Sequence, residues 1–192
     1  MKNALFGPHN MEDAPVIKAI FNSPKFAWLW LVVRIYLGYQ WVHSALGKFE
    51  DPKWMQTGEA IKGYWTRAVV VPEAPARPAI YYGWYRDFIQ GLLDSNSHVW
   101  FGKFIAVGEF LVGAALILGA FVGMAAFFSA LMNMSFLLAG SLSSGPVLLI
   151  LAILLMIAWK IAGYYGLNRF IFKYVGTFWK PGLWFRKKVV TS

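Results

Sequence analysis

The chain is predicted to fold as an all-α bundle of four transmembrane helices, with a long, partly helical loop between the first and second. Three observations predict it. Of 192 residues, 58% are hydrophobic and only 14% charged, against about 45–50% and about 25% in ordinary soluble domains. Four apolar stretches, residues 27–46, 99–119, 122–140 and 146–162, each approach the roughly 20 residues that a helix needs to cross about 30 Å of hydrocarbon. Most polar residues gather at the ends and in one loop, residues 47–98. Residues 1–192 therefore read as one membrane domain, with no room for a separate soluble catalytic domain of about 100–150 residues.

Taken in order, residues 15–21 read as an interfacial helix, and Pro24 breaks the chain before Trp28 and Trp30, aromatic anchors at the first membrane boundary. The early apolar run is interrupted by Lys18 and closed by Asn22-Ser23-Pro24, too weak for a signal-peptide core. The first span is expected to act as its own insertion signal. Spans two and three meet around residues 119–123, a link short enough only for an antiparallel hairpin. Ser141-Leu142-Ser143-Ser144-Gly145 joins spans three and four, and Pro146 suits the first turn of the last helix.

The loop of residues 47–98 exceeds the about 12–15 residues beyond which structureless connections become uncommon, so it is expected to fold. Within it Trp84, Tyr85, Phe88 and Leu92 recur at helical spacing while Arg86, Gln90 and Asp94 fall opposite, the pattern of an amphipathic helix lying on a membrane or on the bundle. Pro72, Pro75 and Pro78 separate that helix from an earlier segment, residues 54–65. The aromatic stripe reads as packing surface, with a lid over a site between the helices as the functional alternative.

The net charge of +9 is unevenly placed. Arg169, Lys173, Lys180, Arg186, Lys187 and Lys188 lie in the tail, residues 163–192, with no acid, whereas the loop balances six basic residues with six acidic ones. A basic run beside a span marks the cytoplasmic side. Both termini are therefore expected in the cytoplasm of a prokaryote, with the loop outside its plasma membrane, and the tail reads as a topology determinant or lipid contact rather than a nucleic-acid site. The absence of cysteine excludes disulfides, thiolate metal sites and catalytic thiols.

Ionisable groups within a span are costly and usually mark a site or a structural pair. At 1.5 Å per residue, Arg34 lies about 10 Å in from the cytoplasmic end of the first span, and Glu109 about 15 Å in from the outer end of the second. Asn133 is near the middle of the third, and Lys160 enters the fourth at a depth like that of Arg34. These four are expected to share a layer, with Arg34 and Glu109 either paired structurally or part of a site. A second group, Gln40, His43, Ser44, Lys48, His98 and Lys103, sits near the outer face. A histidine and an amide there could meet the two carbonyl oxygens of a quinone, with lysines attracting an anion and His43 moving protons; the alternative is a satisfied interfacial His43 and a Lys48 snorkelling outward. Haem ligation by His43 and His98 is disfavoured, since His98 falls at the membrane boundary and no attachment motif is present. The glycines of the second span, Gly102, Gly108, Gly113 and Gly119, lack the strand and turn of a dinucleotide fingerprint and read as close helix contacts.

Arg34-x3-Gly38, Gly47-Lys48-Phe49 followed by Pro52, Gly108-Glu109-x3-Gly113 with Gly119, and Gly163-x2-Gly166-Leu167-Asn168-Arg169 together resemble the DoxX family of small membrane proteins over about residues 27–170. The chain is similar in particular to its DoxD-like branch, the membrane subunits of thiosulfate:quinone oxidoreductases, although Asn168 stands where that pattern has an acid. The resemblance implies a four-helix subunit that passes two electrons from thiosulfate to a membrane quinone beside a second, DoxA-like subunit. Two readings follow. In the first, His43, Glu109 and Arg34 are catalytic and Gln40, Ser44, Lys48, Lys103, Asn133 and Lys160 bind quinone or donor, with quinone as the acceptor and neither metal nor haem. In the second, the chain is a non-catalytic scaffold that docks a partner enzyme or respiratory complex. A homo-oligomer is compatible with both, and the absence of internal repeats argues against a transporter.

Overall fold

The first apolar stretch forms the longest helix of the molecule and sets the frame for the rest. In the computed structural model, which describes residues 14–177 and 180–185, α1 (Pro15–Asn22) precedes a short 3-10 turn (Pro24–Phe26) and α2 (Ala27–Glu50). Pro15 and Pro24 each take a first-turn position, where a missing N–H costs no hydrogen bond. The chain bends by 64° between α1 and the helical stretch Pro24–Glu50, and Trp30 Nε1 donates to the Ile20 carbonyl at 2.8 Å, fastening α1 across the end of the bundle.

Two short helices, α3 (Pro52–Met55) and α4 (Glu59–Ala68), and the longer α5 (Gly83–Asp94) lead to α6 (His98–Leu118). α6 runs back along α2, and the two backbones touch: a Cβ added at Gly38 would lie 2.8 Å from the Gly113 carbonyl oxygen, and one at Gly113 equally close to that of Gly38. Gly113 is thus a close helix contact, as expected of the second span's glycines, and Gly38 is its counterpart on α2. Gly119 and Phe121, at φ of 67° and 46°, turn the chain tightly into the antiparallel α7 (Val122–Leu138). α8 (Gly145–Ile157) then starts with Pro146 in its first turn and continues past Ala158 into α9 (Trp159–Ala162). α10 (Asn168–Tyr174) and a two-residue antiparallel pairing of β1 (Gly176–Thr177) with β2 (Lys180–Pro181) follow. Arg186, Lys187 and Lys188 of the basic tail lie outside the described residues.

The described chain is thus all-helical apart from that pairing. Its main core joins α2, α6, α7, α8 and α9 through Leu37, Trp41, Leu116, Ala126, Leu155 and Ile161. Small side chains such as Ala125, Ala126, Ala130 and Ala152 fill the centre, while Val32, Phe104, Leu111, Phe127, Leu131 and Ile150 point outward. Among the described residues one helix, His98–Leu118, is long and apolar enough on its own to cross a membrane; the bent pair Pro15–Asn22 and Pro24–Glu50 is so only when taken together, and Val122–Leu138 and Gly145–Ile157 are shorter apolar helices.

The long loop folds, as its length predicts. Ile61, Trp65, Ala68, Ile80, Tyr85 and Ile89 gather with Ala139 into a second core. The Tyr64 hydroxyl donates to the Ala139 carbonyl at 2.9 Å and the Tyr85 hydroxyl to that of Ser135 at 2.8 Å. α3 to α5 therefore form a cap bound to the last turn of α7. The expectation of a single aromatic face on α5 is corrected: Tyr85 turns into the cap beside Ile89 and Leu92, whereas Trp84 and Phe88 remain exposed.

Candidate functional site

Two cations of α2 face α6, Arg34 towards the end opposite the cap and Lys48 at the cap end. Arg34 is 1% exposed. Its Nη1 donates to the carbonyls of Leu116 at 2.7 Å and Ile117 at 2.9 Å, and its Nη2 to that of Tyr165 at 2.9 Å. The last carbonyls of a helix lack partners within it and carry the negative end of its dipole, so a guanidinium fork suits them. Around that fork the chain closes on itself: Leu167 N–H bonds to Leu118 O at 3.1 Å and Asn168 N–H to Gly119 O at 2.8 Å. Gly119 and Gly166 approach so closely that a Cβ on Gly166 would meet the Gly119 Cα at 2.8 Å. The motif residues Arg34, Gly119 and Gly163 to Arg169 thus build one knot at the C-terminus of α6.

The expected Arg34–Glu109 pair does not form. Glu109 instead meets Lys48, whose Nζ lies 2.7 Å from Oε2 and also donates to Ser44 Oγ at 2.7 Å. Helix side chains lean towards their own N-terminus. Lys48 therefore reaches back along α2 while Glu109 leans the opposite way along antiparallel α6, and the two meet between their Cα levels. The Trp54 ring covers the ammonium, its centroid 5.1 Å from Nζ. Lys48 retains 15% side-chain exposure and Glu109 none. Glu109 Oε1 is buried without a hydrogen-bond partner.

The remaining sequence candidates are dispersed. Asn133 is buried, but its amide donates to the Ser129 carbonyl of its own helix at 3.1 Å, while Ser129 Oγ accepts from Trp41 Nε1 at 2.7 Å. Lys160 is exposed on α9. The predicted layer of Arg34, Glu109, Asn133 and Lys160 is therefore not assembled; each group has found a nearer partner or solvent. In the other predicted cluster only Ser44 and Lys48 meet: Gln40 is half-buried, Lys103 is exposed, and His43 is exposed beside Tyr39, with 5.7 Å between ring centroids. His98 is buried at the start of α6 with Nδ1 unpartnered, beneath the turn at Gly58, whose φ of 73° lets the backbone pass against it. Sequence reasoning missed Trp54, Ser129 and the carbonyls that hold Arg34. The usable signal for the Lys48–Glu109 pair was the lean of side chains on antiparallel helices.

Among the described residues no group of three or more His, Asp or Glu is arranged to hold a metal ion. Geometry and composition define the class only as a helical protein with a candidate membrane span. No protein-family model, curated protein or solved structure matches the chain. What the buried pair can do chemically is plain: Lys48 has three N–H donors and spends them on Oε2, Ser44 and the face of Trp54, so Glu109 Oε1 is left to take a proton or a hydrogen-bond donor from a ligand.

Proposed function

We propose that the chain is a four-helix transmembrane subunit of a quinone-linked oxidoreductase, with Glu109 as the group that exchanges protons with the quinone. In this reading α2, α6, α7 and the α8–α9 rod are the spans, both termini are cytoplasmic in a prokaryotic plasma membrane, and the cap faces outside. The resemblance to the DoxX family supports a donor such as thiosulfate and a second, DoxA-like subunit. The observation that carries the reading is the fully buried Glu109 with one oxygen on Lys48 and the other without a partner. Reducing a quinone takes two electrons and two protons, so its site needs a group in the apolar layer that can take up a proton from water and pass it to the quinone, then take up the next. Lys48 holds the carboxylate in place, and its charge is itself stabilised by Ser44 and Trp54.

The test is quinone reduction by the purified protein in mild detergent, with thiosulfate as donor, alone and with a DoxA-like subunit added. Glu109→Gln is expected to lower turnover by about 10²–10⁴-fold, the usual contribution of a positioned general acid or base. His43→Ala, which alters an exposed side chain, is expected to retain activity. The reverse result moves the site to the outward face of α2. An inactive wild type under every donor condition favours a non-catalytic scaffold, a reading that the separately packed core of the cap also suits.

A further inference from the structure

α5 is divided into three sectors rather than two. At about 100° per residue, Tyr85, Ile89, Leu92 and Leu93 form one sector, which packs into the cap. Arg86, Asp87, Gln90 and Asp94 form a second, centred about 130° away. Trp84, Phe88 and Gly91 form the third, between the other two on the remaining side, and all three are exposed. A helix packed on a protein and otherwise bathed in water needs only an apolar and a polar face. The third sector requires a third medium.

The surroundings identify that medium. Tyr81 is 82% exposed, Trp84 65%, and Tyr82 and Phe88 each 51%. Their rings run in a connected row, Tyr81 to Tyr82 at 5.6 Å, Tyr82 to Trp84 at 6.4 Å, and on through Tyr85 to Phe88. Tryptophan and tyrosine, with apolar bodies and a polar edge, concentrate where hydrocarbon meets water. The depth is set by Tyr85, whose hydroxyl holds α5 against Ser135, inside the last turn of α7. α5 therefore lies beside the end of a proposed span rather than above it. We infer that α5 is an interfacial helix whose Trp84–Phe88 edge is immersed in the outer leaflet, with Tyr81 and Tyr82 at headgroup level and the Asp87–Asp94 sector facing water.

The inference rests on the transmembrane reading, and the experiment separates the two. The native chain has no cysteine, so single cysteines at Phe88, Gly91, Asp87 and Asp94 can each carry a nitroxide in lipid vesicles, with Leu111 on the exposed face of α6 as the control. Gly91 has nothing within 4 Å of an added Cβ, so its label leaves the packing intact. Collision with oxygen is expected to exceed collision with a water-soluble nickel chelate at Phe88, Gly91 and Leu111, with the order reversed at Asp87 and Asp94. Nickel-dominated labels at Phe88 and Gly91, with Leu111 oxygen-dominated, overturn the inference and leave the span standing. Weak collision with both probes at Phe88 and Gly91 also overturns it, and shows that protein covers this edge. A nickel-dominated Leu111 overturns the transmembrane reading itself, and the inference with it.

Discussion

Arg34 and Lys48 lie about four turns apart on the same side of α2, and both reach across to α6, yet their surroundings differ in kind. Arg34 meets a helix end, whose last carbonyls lack partners within the helix interior whatever the sequence; those of Leu116 and Ile117 accept from it together with the Tyr165 carbonyl of the segment after α9, and no carboxylate is needed. Lys48 meets the middle of a helix, whose carbonyls are already bonded to one another, and its acceptor there has to be a side chain. Glu109 supplies one oxygen and keeps a second in reserve. Arg34 is thus held by backbone carbonyls with only its Nε left without a partner, whereas Glu109 keeps an acceptor oxygen open to chemistry.

The sharpest way to break this comparison is a pair of double-mutant cycles on thermal stability. Lys48→Met leaves a buried carboxylate uncompensated and is expected to cost about 3–5 kcal/mol, much of it recovered when Glu109→Gln is added. Arg34→Gln combined with Glu109→Gln is expected to be additive within about 0.5 kcal/mol, since the two groups share no partner. Strong coupling between Arg34 and Glu109, or additivity between Lys48 and Glu109, would show that the pairing is reversed.

The knot makes a smaller, independent demand. Gly119→Ala places a Cβ where φ is 67° and 2.5 Å from Arg34 Nη1. The left-handed conformation alone costs roughly 1–2 kcal/mol in a residue other than glycine, and displacing the guanidinium adds the loss of charge-assisted bonds at about 1.5–3 kcal/mol each. Gly91→Ala, in open space on α5, is expected to leave the melting temperature within error of the parent or slightly raised. Equal effects of the two substitutions would mean that Arg34 is not held by the end of α6.

Much of the frame was legible because it depends on composition and on glycine. The apolar stretches, the close helix contact at Gly113, the hairpin at residues 119–123 and the folded loop all follow from patterns local to the sequence. The partners of Arg34 were not legible, since backbone carbonyls have no letter in a sequence and become acceptors only where a helix stops. Glu109 was singled out as a buried ionisable group but paired with the wrong cation. Depth along a helix axis ranks Cα positions, while a lysine reaches about 6 Å further in the direction its helix dictates. The two sectors of α5 that contain aromatics merged into one stripe for a related reason: Trp84 and Tyr85 are neighbours in sequence but about 100° apart on the helix.

The smallest expected effect concerns the two phenols that bind the cap, and it separates them. The Ser135 carbonyl, which accepts from Tyr85, also accepts the Ala139 N–H at 3.1 Å, so Tyr85→Phe leaves it satisfied. That change is expected to cost about 0.5–1.5 kcal/mol, the net value of an ordinary hydrogen bond. The Ala139 carbonyl has Tyr64 as its one hydrogen-bond donor among the described residues and belongs to a buried residue. Tyr64→Phe is therefore expected to cost more, up to about 3 kcal/mol, the penalty for an acceptor left dry. Burial also pushes both phenols above their usual value of about 10. A proton held more tightly in the folded state gives stability that is full below about pH 10 and is lost as pH rises through the raised values. The cap is expected to loosen in that alkaline window, and less steeply in either Phe variant; hydrogen exchange at the amides of α4 and α5, followed from pH 8 upward against a matched unstructured peptide to remove the intrinsic pH dependence, measures both effects. Identical exchange in the two variants would mean that the Ala139 carbonyl has found water, and that the cap is held by its apolar core rather than by its phenols.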